Sequence, residues 1–237
     1  MIRRTVLPVV LAALLAALAT PALAAEGVLG AIPPDALAFS VFNRLGQTDA
    51  KIQKLAGELE LPAPGVLAIL KTAAGVKEGL DEKGSAAMVV MPPEEEDGEP
   101  VLLLVVPVTD FGKFIAQLKP EDAEARIVKV TIFDGPFLAA RRGSYAVLAE
   151  LGQEALLEKV LGAKKSAAGE LKPLAPWLDT NDVAGVVPRK GIEFFCDKAL
   201  QEVRKAKSEF AEMPDEAKEM VGGMVAMMEV YGKMMEG

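Results

Sequence analysis

Seven of the ten methionines lie from residue 213 onward: Met213, Met220, Met224, Met227, Met228, Met234 and Met235. At helical spacing, Met220, Met224, Met227 or Met228, Tyr231 and Met235 share one face. Thioether sulfur selects soft copper(I), so an exported methionine face is a candidate soft-metal site. Methionine is also an adaptable apolar side chain that packs on irregular surfaces. The packing reading comes first, with the face laid on a sheet, a protein partner or a second copy; copper binding is the alternative. Gly222 and Gly223 weaken that helix by about 1 kcal/mol each, so packing must order it.

The remaining chemistry-bearing residues are sparse. The chain contains no histidine, which removes Ser-His and Cys-His catalysis, imidazole metal sites and the usual general base near neutral pH. The single cysteine, Cys196, falls in the stripe Ile192, Phe195, Cys196, Ala199, Leu200, Val203 and reads as a buried, inert thiol. One cysteine makes no intramolecular disulfide, so stability must come from the core. The acid run Glu94-Glu95-Glu96-Asp97 with Glu99 has carboxylates for a hard cation. It lacks the spaced Asp/Asn and glycine of a calcium loop, and reads as a solvated hairpin tip. Asp179-Thr180-Asn181-Asp182 reads as turn and cap chemistry. Arg141 and Arg142, beside Gly143, could receive an anion but read as solvent-facing charge. Phosphate loops, dinucleotide fingerprints and nucleophile elbows are absent. No catalytic, cofactor or metal residue is assigned, and the expectation is a protein that is not an enzyme and needs no cofactor.

The elements that must position these residues follow from periodicity. Residues 26–32 read as a loose lead-in, 36–43 as a first strand, 47–59 as a helix, and 64–74 as a second helix opened by Pro64. Residues 85–91 and 101–108 form a hairpin whose second arm is an unbroken apolar run, the mark of a central strand. Thr109 or Asp110 can cap a short helix carrying Phe111, Phe114, Ile115 and Leu118. Val128, Val130 and Ile132 alternate with Lys129 and Thr131, and Asp134-Gly135 turns that strand into a three-strand meander. Residues 153–161 read as helix, 162–170 as linker, 173–177 as an irregular segment, 182–187 as strand, and 191–212 as a long helix, with a last helix from Pro214. Hairpins dominate, so the fold class is α+β: an antiparallel sheet with helices packed on one face. Ala38 to Val41 with Arg44 and Gly46 echoes Val183 to Val186 with Arg189 and Gly191. The echo places the α+β domain at 25–180 and makes 181–237 the start of a second module in a longer architecture.

Residues 1–24 carry an export signal. Arg3 and Arg4 precede residues 6–19, all Val, Leu or Ala except Pro8, and Ala22-Leu23-Ala24 offers small residues at alternate positions. Cleavage is expected after Ala24, with Ala25 second. The apolar stretch is shorter than the about 20 residues of a spanning helix, and no cysteine follows for lipid attachment. The general secretory route to the periplasm or beyond is expected. The mature chain then holds 24 basic residues (26 less Arg3 and Arg4) against 34 acidic ones. That charge repels phosphate backbones and anionic lipid, excluding nucleic-acid and membrane partners after cleavage. With 51% apolar residues the body can bury a sizeable core.

Three segments look familiar: Ile32-Pro33-Pro34-Asp35-Ala36-Leu37-Ala38, the step Val106-Pro107-Val108-Thr109-Asp110-Phe111 with Phe114, and Gly143-Ser144-Tyr145-Ala146-Val147-Leu148. Over roughly residues 32–200 the chain resembles large exported bacterial proteins of uncharacterised function. The resemblance implies export and the fold class and carries no catalytic residues. The expected role is non-catalytic binding, or a structural part of the envelope.

Overall fold

Alternation of apolar and polar residues decides the sheet. In the computed structural model, which describes residues 27–60, 66–72, 74–95, 98–132 and 134–212, seven strands form one antiparallel sheet. They are β1 (Ala38–Phe42), β2 (Ala86–Met91), β3 (Val101–Pro107), β4 (Ile127–Ile132), β5 (Gly135–Arg142), β6 (Tyr145–Glu150) and β7 (Val183–Val186). Their spatial order is β4-β5-β6-β3-β2-β1-β7, so the unbroken apolar run of β3 lies at the centre. Ile132 pairs with Gly135, so Gly135 opens β5 and Asp134 takes its left-handed φ of 60° as the second residue of a two-residue hairpin loop.

Two units divide the chain, Met1–Val186 and Val187–Gly237. In the first, helices cover both faces of the sheet rather than the one face expected. One face carries Phe39, Val41, Val89, Leu103, Val105, Leu138 and Val147. It is covered by the 3₁₀ turn Gly27–Gly30 and by helices α4 (Glu154–Gly162), α5 (Ala167–Leu171) and α6 (Ala175–Thr180), through Val28, Leu29, Leu156, Leu157, Val160, Ala167 and Leu178. The opposite face carries Val128, Val130, Ile132, Ala139, Ala146 and Leu148. Leu45 of α1 (Leu45–Glu58), Leu67 of α2 (Val66–Thr72), and Phe114 and Ile115 of α3 (Phe111–Ala116) close over it. The reason is in β6: Ala146, Val147, Leu148 and Ala149 are all buried, so both its faces need a lid. Cover on the second face is partial. Leu103 is 0% exposed while its neighbour Leu102 is 43% exposed, and Met88 beside it is 41% exposed.

Local chemistry sets the helix starts. Asp110 caps α3, its carboxylate accepting from the Lys113 N–H at 3.0 Å, as expected. Gly79, at φ 79°, lies so close that a Cβ would come within 2.5 Å of the Asp110 carbonyl, so only glycine fits. Buried Asp49 of α1 accepts the Leu67 N–H of α2 at 2.8 Å and the Gln53 amide at 2.7 Å.

Three further expectations need correction. Within the lead-in, residues 27–32 are not loose: Val28, Leu29, Ala31 and Ile32 are buried in the core. In place of the linker at 162–170 and the irregular segment at 173–177, the chain forms α5, a 3₁₀ turn at Lys172–Leu174 and the start of α6, because Ala167 and Leu178 have a core to enter. Finally, β7 belongs to the sheet of the first unit. It pairs antiparallel with β1, Val41 opposite Ala184 and Phe39 opposite Val186, so the first unit runs to Val186 rather than to residue 180. The two echoing segments are neighbouring strands of one sheet.

In the second unit, helix α7 (Arg189–Glu212) begins at Pro188, whose carbonyl accepts the Gly191 and Ile192 N–H groups. Arg189 pairs with Glu193 one turn on, at 2.8 Å. The rings of Phe194 and Phe195 meet edge to face at 5.5 Å. Cys196 is half-buried, against the full burial expected. Among the described residues no helix is long and apolar enough to cross a membrane.

Candidate functional site

Polar residues collect where the apolar patterns of three strands stop. Asn43 follows β1, Ser85 precedes β2, and Tyr145 opens β6. Together they floor a cleft of about 830 Å³, within the range of small-molecule sites. Val28 and Leu29 of the 3₁₀ turn form one wall with Val41. Ala168 and Gly169 of α5, Lys172, and Ala175, Leu178 and Asp179 of α6 form the other.

Asn43 organises the floor. Its Nδ2 donates to the Leu178 carbonyl at 2.6 Å and to the Asn181 carbonyl at 2.8 Å, tying the end of β1 to the segment that leads into β7. Its Oδ1 accepts the Ser85 hydroxyl at 2.9 Å, and its own carbonyl accepts the Thr48 hydroxyl. Those contacts fix the amide orientation and commit the Ser85 proton to a neutral amide oxygen, leaving the serine lone pairs toward the cleft. Gly84 lets the chain pass Pro107 here: a Cβ at this position would come within 2.6 Å of the proline ring.

Tyr145 reaches the cleft because a two-residue hairpin loop sets it opposite Arg142. Burial, and then the charge of Asp81, push its phenol up to about 12, so it stays protonated and can donate. Lys172 and Asp179 are exposed on the wall. Neither ammonium nor carboxylate has an ion-pair partner among the described residues; Asp179 offers only its carbonyl, to Arg44. The cleft therefore presents a donor, an acceptor and both signs of charge beside the apolar Val28, Leu29, Val41 and Leu178. Among the described residues no base is hydrogen-bonded to the Ser85 hydroxyl.

The residues singled out from the sequence lie elsewhere, Asp179 excepted. Within Asp179 to Asp182, the Thr180 hydroxyl and Asn181 amide donate to the Trp177 carbonyl at 2.9 and 2.7 Å, closing α6 as turn chemistry predicts. Asp182 pairs with Lys51 at 2.7 Å and Arg44 at 3.2 Å. Its carboxyl is held below the usual range, chiefly by the Lys51 hydrogen bond and further by Arg44. Arg141 is exposed, but Arg142 is not the solvent-facing charge expected: it is 7% exposed on the core side of β5. Its guanidinium donates to the Val160 carbonyl at 2.6 Å near the end of α4 and to the Lys165 carbonyl at 3.5 Å. Burial lowers its pKa. Glu94, Glu95 and Glu99 are exposed at the β2–β3 hairpin. No group of carboxylates or thiols among the described residues could hold a metal ion. The methionine cluster from Met213, the signal segment and its cleavage position lie outside the described residues.

Asn43, Ser85, Tyr145 and Lys172 carry no motif, being spread over 130 positions of chain. The one signal available was positional, a polar residue at each point where a strand pattern begins or ends. No protein-family model, curated protein or solved structure matches this chain.

Proposed function

We propose that this chain is an exported, non-catalytic binding protein whose ligand occupies the cleft between β1, β2, β6 and helices α5 and α6. One observation carries the reading: the cleft has the size and mixed lining of a small-molecule site, while its serine proton is given to an amide rather than to a base. Such groups orient and hold a ligand; none is poised to move a proton or attack. The absence of histidine supports the same reading, and the signal-like segment at residues 1–24 supports export.

A thermal-shift screen of the chain from Ala25 against a metabolite library tests the cleft, with Gly169→Trp as control. A Cβ at Gly169 meets nothing within 4 Å, so the indole can fill the cleft without disturbing α5. A ligand should raise the melting temperature of the wild-type chain and not that of the variant. Equal shifts in both, or none across the library, overturn the reading. Export is tested by N-terminal sequencing of the product recovered from the periplasm, expected to begin at Ala25; an intact residue 1–24 segment in the cytoplasm overturns it.

A further inference from the structure

We infer that the cleft takes a zwitterion of the amino-acid or short-peptide type, with an apolar body between a free carboxylate and a free ammonium. The inference rests on the cleft being the binding site and adds the class of ligand. Lys172 and Asp179 both line the cleft and are exposed. They form no salt bridge with each other or with any described residue. A ligand of a single sign would be attracted by one and repelled by the other. A ligand carrying both signs meets an opposite charge at each end.

The neutral groups select in the same direction. Ser85, its proton given to Asn43, can only accept, which suits a ligand N–H. Tyr145 keeps its proton and can donate to a ligand carbonyl or carboxylate oxygen. One N–H and one C=O side by side is the polar pattern of a peptide unit. Val28, Leu29, Val41 and Leu178 supply the apolar contact for a side chain. Tyr145 is the sole aromatic ring among the lining residues, so the stacking platforms of a base-binding site are missing.

The test is isothermal titration calorimetry with three probes: leucyl-leucine, its N-acetyl form and its C-terminal amide. The free dipeptide should bind, and each blocked form should bind about tenfold more weakly, the loss expected for one charge-assisted contact. Lys172→Met should weaken the free dipeptide about tenfold while leaving the amide unaffected, and Asp179→Asn should do the same with the acetylated form. Both side chains are exposed, so neither change threatens the fold. Equal binding of all three probes to the wild-type chain overturns the inference, as does loss of that charge selectivity without any response to either variant. If no probe binds while a library compound still shifts the wild-type chain and not Gly169→Trp, the ligand class is wrong and the cleft reading stands. If nothing shifts, both fall.

Discussion

The Ser85 hydroxyl donates to Asn43 Oδ1 across 2.9 Å, and the same asparagine spends its two N–H donors on the Leu178 and Asn181 carbonyls. One side chain thus joins the start of β2, the end of β1 and the approach to β7. Asn43→Ala leaves one buried carbonyl, one part-buried carbonyl and a part-buried hydroxyl without their partner. The expected cost is about 2 kcal/mol, the usual penalty for leaving buried polar groups unpaired. A urea midpoint lowered with the slope unchanged is the predicted readout. Ligand binding in the cleft should fall as well, because Ser85 regains a free rotor. A midpoint within error of wild type would show that water replaces the asparagine at no cost.

Arg142 poses a question of magnitude. Its charge is desolvated and pairs with no carboxylate among the described residues, which favours replacing it by an apolar residue of similar length. Against this, it donates to the Val160 carbonyl near the C-terminal end of α4, where a cation suits the helix dipole. The Val160 carbonyl also accepts the Ala163 N–H at 3.3 Å, so it is not stranded when the guanidinium leaves. Arg142→Met should therefore change stability by less than about 1 kcal/mol. Arg142→Glu sets a carboxylate against two carbonyls and the negative end of a helix, and should cost more than about 4 kcal/mol. Chemical denaturation of both variants decides it; a methionine as damaging as the glutamate refutes the account.

Neighbouring arginines also mark where the sequence stops being legible. Arg141 and Arg142 look alike in one dimension. Their fates follow from register: Arg142 sits opposite Tyr145 on the core side under α4, and Arg141 opposite Ala146 on the other side. Alternation named the strands because each residue contributes to it locally, as with Val128, Val130 and Ile132. It could not say that β7 would pair with β1, since a strand pattern records its own burial and not its neighbour. Helices α5 and α6 were hidden because they are six residues or fewer and enter the core through single residues, Ala167 and Leu178. The cleft was illegible for the same reason: Asn43, Ser85, Tyr145 and Lys172 become a site through sheet order alone.

The partial cover of the second sheet face gives a paired prediction on one strand. Leu103 is fully buried among Val89, Val105 and their neighbours, while Leu102 points to the opposite face and is nearly half exposed. Leu103→Ala should destabilise by about 2–5 kcal/mol through lost transfer energy and the cavity left behind. Leu102→Ser should stay within about 0.5 kcal/mol and reduce the uptake of a hydrophobic dye by the folded chain. If the two variants proved equally damaging, β3 would have to be covered on both faces along its whole length.

Stability against pH should be limited at its two ends by two different residues. Asp182, held low first by the Lys51 hydrogen bond and also by Arg44, releases its proton more readily when folded than when unfolded, where its pKa is about 3.9. Its contribution is complete above that value and drains away as the pH falls through the lower folded value. Tyr145 is the reverse case at the alkaline end. Folded, it holds its proton to about 12 against 10.0 unfolded, so its contribution is complete below pH 10 and is lost as the pH climbs toward 12. Urea midpoints measured across the pH range should show both limbs. Asp182→Asn should flatten the acid limb and leave the alkaline one, and Tyr145→Phe should do the opposite. Raising the salt to about 1 M should shrink the Asp182 effect, because that ion pair is exposed to solvent, and should leave the Tyr145 limb largely in place, because burial is its main cause. An acid limb insensitive to both salt and Asp182→Asn would move acid sensitivity to other carboxylates.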